Sequence, residues 1–207
     1  ELTHSALNYR DLMMVDGRYN ARQPLPLIPC SDGVGVISEV GAECRLKVGQ
    51  RVIPIFSQGW LDGEPSKRVV ATTLGGPLAG TLCREGVFRE EGVVAAPDYL
   101  LDEEAATLGC ACLTAWSALI ELGQIKAGDH ILCIGTGGVS VFAAQLAVLS
   151  GARVTLTSRS STKLDMVMSH PHFAPLAHSV SPMLLTSESG WGREVRRRFG
   201  HVDHVIE

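Results

Sequence analysis

His130-Ile131-Leu132-Cys133-Ile134-Gly135-Thr136-Gly137-Gly138-Val139-Ser140 sets a short apolar run directly before a glycine-rich turn. The run is entered from the turn Ala127-Gly128-Asp129. It is followed by Val141, Phe142, Ala144, Leu146, Ala147 and Leu149, an apolar helical stretch that stops at Gly151. Arg153 to Thr157 then reads as a second strand. Strand, turn, helix and strand make one βαβ unit, whose helix N-terminus offers backbone N–H groups and a positive dipole end to a pyrophosphate. Gly135, Thr136, Gly137, Gly138 and Val139 are the candidate phosphate-binding residues. Ser140 stands where a third glycine would allow close packing of helix on strand. A glycine turn of this kind also serves as plain punctuation or as part of other nucleotide-binding folds such as methyltransferases, so the turn by itself does not fix the ligand.

The end of the second strand narrows the choice. An acidic residue there would take the ribose hydroxyls of NAD. The chain has Thr157-Ser158-Arg159-Ser160-Ser161-Thr162-Lys163 instead, with Ser158 at the acidic position, roughly 20 residues beyond the turn. Hydroxyls with Arg159 and Lys163 nearby suit a 2′-phosphate through charge-assisted hydrogen bonds, which favours NADPH over NADH. The plainer reading is a solvated loop that opens a helix with Ser161 or Thr162 as its cap, and both readings can hold together.

Beyond this unit the chain carries Ala6-Leu7-Asn8-Tyr9-Arg10-Asp11, Pro29-Cys30-Ser31-Asp32-Gly33-Val34-Gly35 through Glu39-Val40-Gly41, and Val48-Gly49-Gln50-Arg51-Val52. Glu103-Glu104-Ala105-Ala106-Thr107 and Leu113-Thr114-Ala115-Trp116 follow, and then the glycine turn. In this order the motifs resemble the medium-chain dehydrogenase/reductase superfamily, in particular its zinc-independent quinone-oxidoreductase and enoyl-reductase-like branch and the zinc-type alcohol dehydrogenase-like proteins. The resemblance implies an α/β protein: a β-rich GroES-like substrate domain over residues 1–110, then a partial Rossmann cofactor domain of parallel, doubly wound type over residues 111–207.

In the zinc-dependent branch a Cys-His pair opens the first motif and Gly-His-Glu occupies the second, supplying thiolate and imidazole ligands. Here those places hold Asn8-Tyr9 and Cys30-Ser31-Asp32. Cys110 matches the third ligand position, but one thiolate cannot make a site that needs three protein ligands. The four-cysteine lobe of a structural zinc is also missing, since Cys44 and Cys83 stand alone and no CxxC pair exists. The sequence therefore predicts no metal.

Without a Lewis acid, the chemistry implied is hydride delivery from a nicotinamide to an activated alkene, quinone or carbonyl, with a side chain or water supplying the proton. By resemblance, Asn8 lines the nicotinamide and substrate cleft, and Thr114 approaches the nicotinamide. Tyr19, in Asp16-Gly17-Arg18-Tyr19, lies where enoyl-thioester reductases of the superfamily place a proton-donating tyrosine. Each has an ordinary alternative: Asn8 as a helix cap, Tyr19 as a loop aromatic, Thr114 as a helix-packing residue.

Composition agrees with a small-molecule enzyme. At 45% hydrophobic, 19% charged and net charge −4, the chain has no basic surface for nucleic acid. Arg193-Glu194-Val195-Arg196-Arg197-Arg198 reads as the polar face of a helix ending at Gly200. There is no run of about 18 apolar residues to span a membrane, and a cytoplasmic protein is expected. Short β-type runs at 34–40, 51–56 and 92–96 alternate with turns, residues 58–80 read as a long loop, and residues 101–122 carry helical spacing. The region 170–183 departs from the family, leaving the register of a third strand around 176–180 open.

Members of the superfamily are commonly much longer and carry a second half of the cofactor domain, so the chain is expected either to be complete only with missing flanks or to work as a shortened form. His204-Val205-Ile206-Glu207 resembles the fourth strand of that domain. A homo-oligomer is an expectation from resemblance. The alternative to an NADPH-dependent reductase is a non-catalytic relative that binds a nucleotide or a protein partner.

Overall fold

The computed structural model describes residues 1–186 and 189–207. The chain divides into two compact units, Glu1–Cys110 and Ala111–Glu207. The expected architecture is observed: a β-rich unit, then an α/β unit with a parallel sheet.

In the first unit, β1 (Leu2–Ala6), β2 (Asp32–Val36), β3 (Arg51–Pro54) and β4 (Val93–Ala95) form an antiparallel sheet in chain order. Helix α1 (Tyr9–Val15) follows β1. Val34 and Ile53 from the sheet pack with Ala96, Ala105 and Ala106 into a small core, and Ala105 lies on α3 (Asp102–Ala105). Arg51 ties strand to helix: its Nε donates to Asp102 at 2.6 Å, and its two other nitrogens donate to the carbonyls of Pro97 and Leu100.

Two expectations need correction here. The run 34–40 yields a strand only from Asp32 to Val36. Beyond it, Ile37 donates to the Gln50 carbonyl and accepts from Gly49, which closes the connection to β3. The supposed loop 58–80 contains a short helix, α2 (Lys67–Val70), whose first turn is capped by the Ser66 hydroxyl. A hydrogen-bonding Ser57 and the amide of Gln58, which donates to the carbonyls of Ile55 and Gly92, pin this excursion to the sheet.

In the second unit the sheet order is β7-β6-β5-β8, with every neighbouring pair parallel. The segment 101–122, along which the chain passes from the first unit to the second, forms α3, the short α4 (Leu113–Trp116), and π-helical turns at Leu108–Cys112 and Ser117–Leu122. After β5 (His130–Ile134), α5 (Gly138–Leu149) leads to β6 (Arg153–Ser158). Then α6 (Ser161–Ser169) leads to β7 (Val180–Leu184), and α7 (Trp191–Phe199) leads to β8 (His204–Ile206).

Side-chain alternation along β5 explains why both faces of this sheet carry helices. Ile131 and Cys133 pack with Ala143, Ala144 and Ala147 of α5 and Leu164 of α6, whereas Leu132 packs with Met183 and Val195, the latter from α7. Each fully buried Ile or Leu contributes about 1.5–3 kcal/mol. The buried His130 ring pairs with the His201 carbonyl through Nδ1 and with the Thr155 hydroxyl through Nε2, both at 2.8 Å, joining β5 to β6 and to the approach to β8. The open register of the third strand resolves as a 3₁₀ turn at Ala174–Ser179, with β7 beginning only at Val180.

Candidate active site

Asn8 ends β1's approach to α1 and occupies the cap position of that helix. The Asp11 carboxylate reaches back from the first turn to accept the Asn8 backbone N–H at 2.8 Å. The Asn8 side-chain Nδ2 donates to Asp32 at 2.9 Å. The same oxygen of Asp32 accepts the backbone N–H of Cys110 at 3.2 Å. The other Asp32 oxygen is buried without a partner and lies against Gly109, where a Cβ would meet it at 2.9 Å.

Asp32 is 1% exposed. Burial pushes its carboxyl up to about 6, against the lowering effect of the Asn8 and Cys110 hydrogen bonds, and the nearby Asp11 charge adds to the rise. Cys110 and Cys30 are both pushed up to about 11, chiefly by burial and then by the neighbouring carboxylates. Both are therefore thiols, not thiolates, near neutral pH. Cys30 holds a left-handed backbone at φ 70°. The Ser31 hydroxyl and one Asp11 oxygen are also buried without a hydrogen-bond partner.

Arg10, on the first turn of α1, stacks its guanidinium on the rings of Tyr19, 4.8 Å from the centroid, and Phe56, 5.0 Å. It donates to the carbonyls of Leu74 at 3.0 Å and Gly76 at 2.5 Å. Tyr19 and Phe56 line a pocket of about 410 Å³ together with Met14, Trp60, Val70 and Gly76. That volume is within the range of small-molecule sites. The Met14 terminal methyl fills the space that a Cβ on Gly76 would need. Tyr19 is half-exposed, and among the described residues no hydrogen bond occupies its hydroxyl.

In the second unit, Gly135 turns the chain at φ 93° directly after β5, and Gly137 stands at the head of α5. No side chain caps this twelve-residue helix. A Cβ would meet nothing within 4 Å at Gly135 or Gly137, so open space lies before both, while at Gly138 it would press on Ala111 at 3.1 Å. The Thr157 hydroxyl accepts the Gly135 N–H at 3.3 Å and donates to the Cys133 carbonyl, bracing the turn against β6. Ser140, buried, donates to the Ile134 carbonyl at 3.1 Å, a bond that a glycine there could not make.

Ser158 is buried at the end of β6, and its hydroxyl accepts the Ser160 N–H at 3.1 Å. Ser160 then caps α6 through the Lys163 N–H, so the expected cap at Ser161 or Thr162 is corrected by one or two residues. Arg159 and Lys163 are exposed beside this turn. Thr114 lies exposed on α4, and Thr136 and Val139 are partly exposed in and after the glycine turn.

The structure thus places Asn8 and Tyr19 in the first unit and the phosphate-turn residues together in the second. Sequence reasoning passed over Asp32 as the partner of Asn8, and Arg10 as the partner of Tyr19. No local signal marks either pairing, since Arg10 stands close to Asn8 and Asp11, and Asp32 beside Ser31; the burial of Asp32 and of the Arg10 Nε shows only in the structure.

The family model for the alcohol dehydrogenase GroES-like domain matches residues 1–98. A zinc-type alcohol dehydrogenase-like protein of Schizosaccharomyces pombe is 41% identical over 168 residues, covering 80% of this chain and 49% of that protein. An alcohol dehydrogenase of Geobacillus stearothermophilus is 33% identical over 166 residues, covering 76% of this chain and 49% of its own length. The chain therefore spans about half the length of these curated relatives. Among solved structures, a candidate alcohol dehydrogenase from Sinorhizobium meliloti superposes with a TM-score of 0.83 at 38% identity, covering 100% of this chain and 60% of that one.

Proposed function

From its membership of the medium-chain dehydrogenase/reductase superfamily, to which the chain belongs, we propose that this protein is an NADPH-dependent oxidoreductase that reduces an activated alkene, quinone or carbonyl substrate without zinc. The observation that carries the reading is the glycine turn at Gly135–Gly138, which opens onto a helix that no side chain caps.

A bound nicotinamide supplies the hydride. Thr136, Gly137, Gly138 and Val139 offer backbone N–H groups and the helix dipole to the pyrophosphate, while Gly135, its own N–H held by Thr157, makes the turn that lets the backbone approach it. Ser158 shapes the following turn through its bond to Ser160, and the exposed Arg159 and Lys163 supply positive charge to a 2′-phosphate. Thr114 is assigned to cofactor contact and Asn8 to the substrate. Tyr19 gives the proton that completes the reduction and regains one from water.

The donor set supports the zinc-free part of the reading. The Asn8 amide is engaged by Asp32, Ser31 carries only a hydroxyl, and Cys110 is the one thiolate-forming side chain at the three ligand positions of the zinc-dependent branch. Among the described residues no group of three or more His, Cys, Asp or Glu side chains is placed to hold a metal ion. No helix among the described residues is long and apolar enough to cross a membrane.

The test is a titration of the protein with NADPH and, separately, NADH, read by nicotinamide fluorescence and thermal stabilisation. Saturable binding that favours NADPH, and that weakens about tenfold or more in Arg159→Ala while NADH binding is unchanged, is the expected result. Absence of saturable binding of either nucleotide overturns the proposal.

A further inference from the structure

The polar groups around Tyr19 point to a device that the reaction requires and that no motif announces. Arg10 projects from α1 into a space bounded by two aromatic rings and two carbonyls. Among the described residues it makes no ion pair with a carboxylate, although its Nε is buried and without a hydrogen-bond partner. The negative faces of Tyr19 and Phe56, with the two carbonyls, are thus what answers its charge.

Only a guanidinium suits this position. It is planar, so it can stack on rings while its in-plane N–H groups reach the carbonyls of Leu74 and Gly76. A lysine ammonium would have neither the plane nor the fork. The partners are also informative, because Tyr19, Phe56 and Gly76 all line the 410 Å³ pocket. Arg10 therefore sits behind the pocket wall and holds three separate parts of it in register.

Tyr19 most needs such a hold. It lies outside regular structure, between exposed neighbours Arg18 and Asn20, with its backbone N–H bonded to Met13 at 3.1 Å. We propose that Arg10 is a positioning residue: its guanidinium, in cation–π contact with both Tyr19 and Phe56, fixes the Tyr19 ring at the pocket so that the hydroxyl is aimed for proton transfer to the substrate. This rests on the reading of Tyr19 as the proton donor given above. A misdirected donor costs rate much more than it costs binding, because the loss falls on the transition state.

Two measurements decide it. In protein labelled with fluorotyrosine, the three tyrosines give three fluorine NMR signals, and a Tyr19→Phe variant identifies that of Tyr19. Arg10→Lys and Phe56→Leu, each checked for an intact fold by circular dichroism, should move and narrow the Tyr19 signal while leaving those of Tyr9 and Tyr99 in place. An unmoved signal in both variants overturns the proposal.

The second measurement follows NADPH oxidation with naphthoquinone and benzylideneacetone. Arg10→Lys should lower kcat about ten- to a hundredfold with a much smaller change in KM, and should cost nothing further in the Tyr19→Phe background. An equal, additive loss in that background means that Arg10 does not act through Tyr19, and overturns the proposal. If the unmodified protein turns over neither compound, the reductase reading fails, and the fluorine signal still decides whether Arg10 fixes Tyr19.

Discussion

The Asn8 side-chain amide donates to the Asp32 carboxylate at 2.9 Å across 24 residues of sequence, while the Asn8 backbone N–H donates to Asp11 in the first turn of α1. The pair links the start of the first helix to the second strand, inside a setting where Asp32 is almost fully buried. A carboxyl in that position makes stability depend on pH in an unusual direction.

Unfolded, Asp32 titrates near 3.9; folded, it is held up at about 6 by burial. Between these values the native state keeps a proton that the unfolded chain has lost. Stability from this group is full below the lower value and is lost as pH rises through the upper one, by about 3 kcal/mol in all. Asp11, Cys30, Cys110 and Arg10 are the other titratable groups around it. Urea denaturation of the wild type and Asp32→Asn at about pH 4 and about pH 7.5 should show the variant gaining relative stability at the higher pH. A stability difference that stays constant between the two would be incompatible with this assignment.

Asp102 should behave in the opposite sense. Its carboxyl is held below the usual range, first by the Thr3 hydroxyl at 2.6 Å and then by Arg51. Its contribution is present above the unfolded value and disappears as pH falls through the depressed folded one. Asp102→Asn should lower stability at neutral pH by about 1–2 kcal/mol, with the deficit shrinking on acidification. Thermal melts across the acid range measure it.

Gly135 separates backbone strain from ligand approach. At φ 93° with nothing within 4 Å of an added Cβ, Gly135→Ala meets no clash and costs only the left-handed conformation, about 1–2 kcal/mol. Gly135→Asn should melt closer to the wild type, since asparagine tolerates that region better. Both variants should bind NADPH at least about tenfold more weakly if the backbone here approaches the pyrophosphate. Calorimetric melts paired with binding titrations would expose a failure, namely full affinity in either variant.

Much of this was legible in the sequence because short-range physics fixes it. Alternating Ile131, Leu132 and Cys133, the turn at Gly135, the stop at Gly151 and the helix ended by Gly200 each follow from a residue's own geometry or from a period of a few positions. The errors fell where neighbours compete. Ser160, Ser161 and Thr162 can all cap a helix, and the choice of Ser160 follows from the Ser158 hydroxyl holding its N–H. The helix at Lys67–Val70 is a single turn, too short to leave a period amid glycine and proline. The cap position of Asn8 was legible, whereas its bond to Asp32 was not, and neither was the stacking of Arg10 on Phe56, because both depend on how distant segments meet.

The Met14 methyl, resting in the hollow that glycine leaves at position 76, makes one wall of the pocket adaptable. An unbranched thioether has several low-energy shapes and yields without moving the backbone. Arg10 meets the carbonyl of that same glycine and the rings of Tyr19 and Phe56 through a rigid, planar group. On the proposed roles of Arg10 and Tyr19, tolerance for differently shaped molecules and the aim of the proton would rest on different side chains of the same helix, so that substitutions at position 14 would shift the range of molecules accepted without disturbing the chemistry.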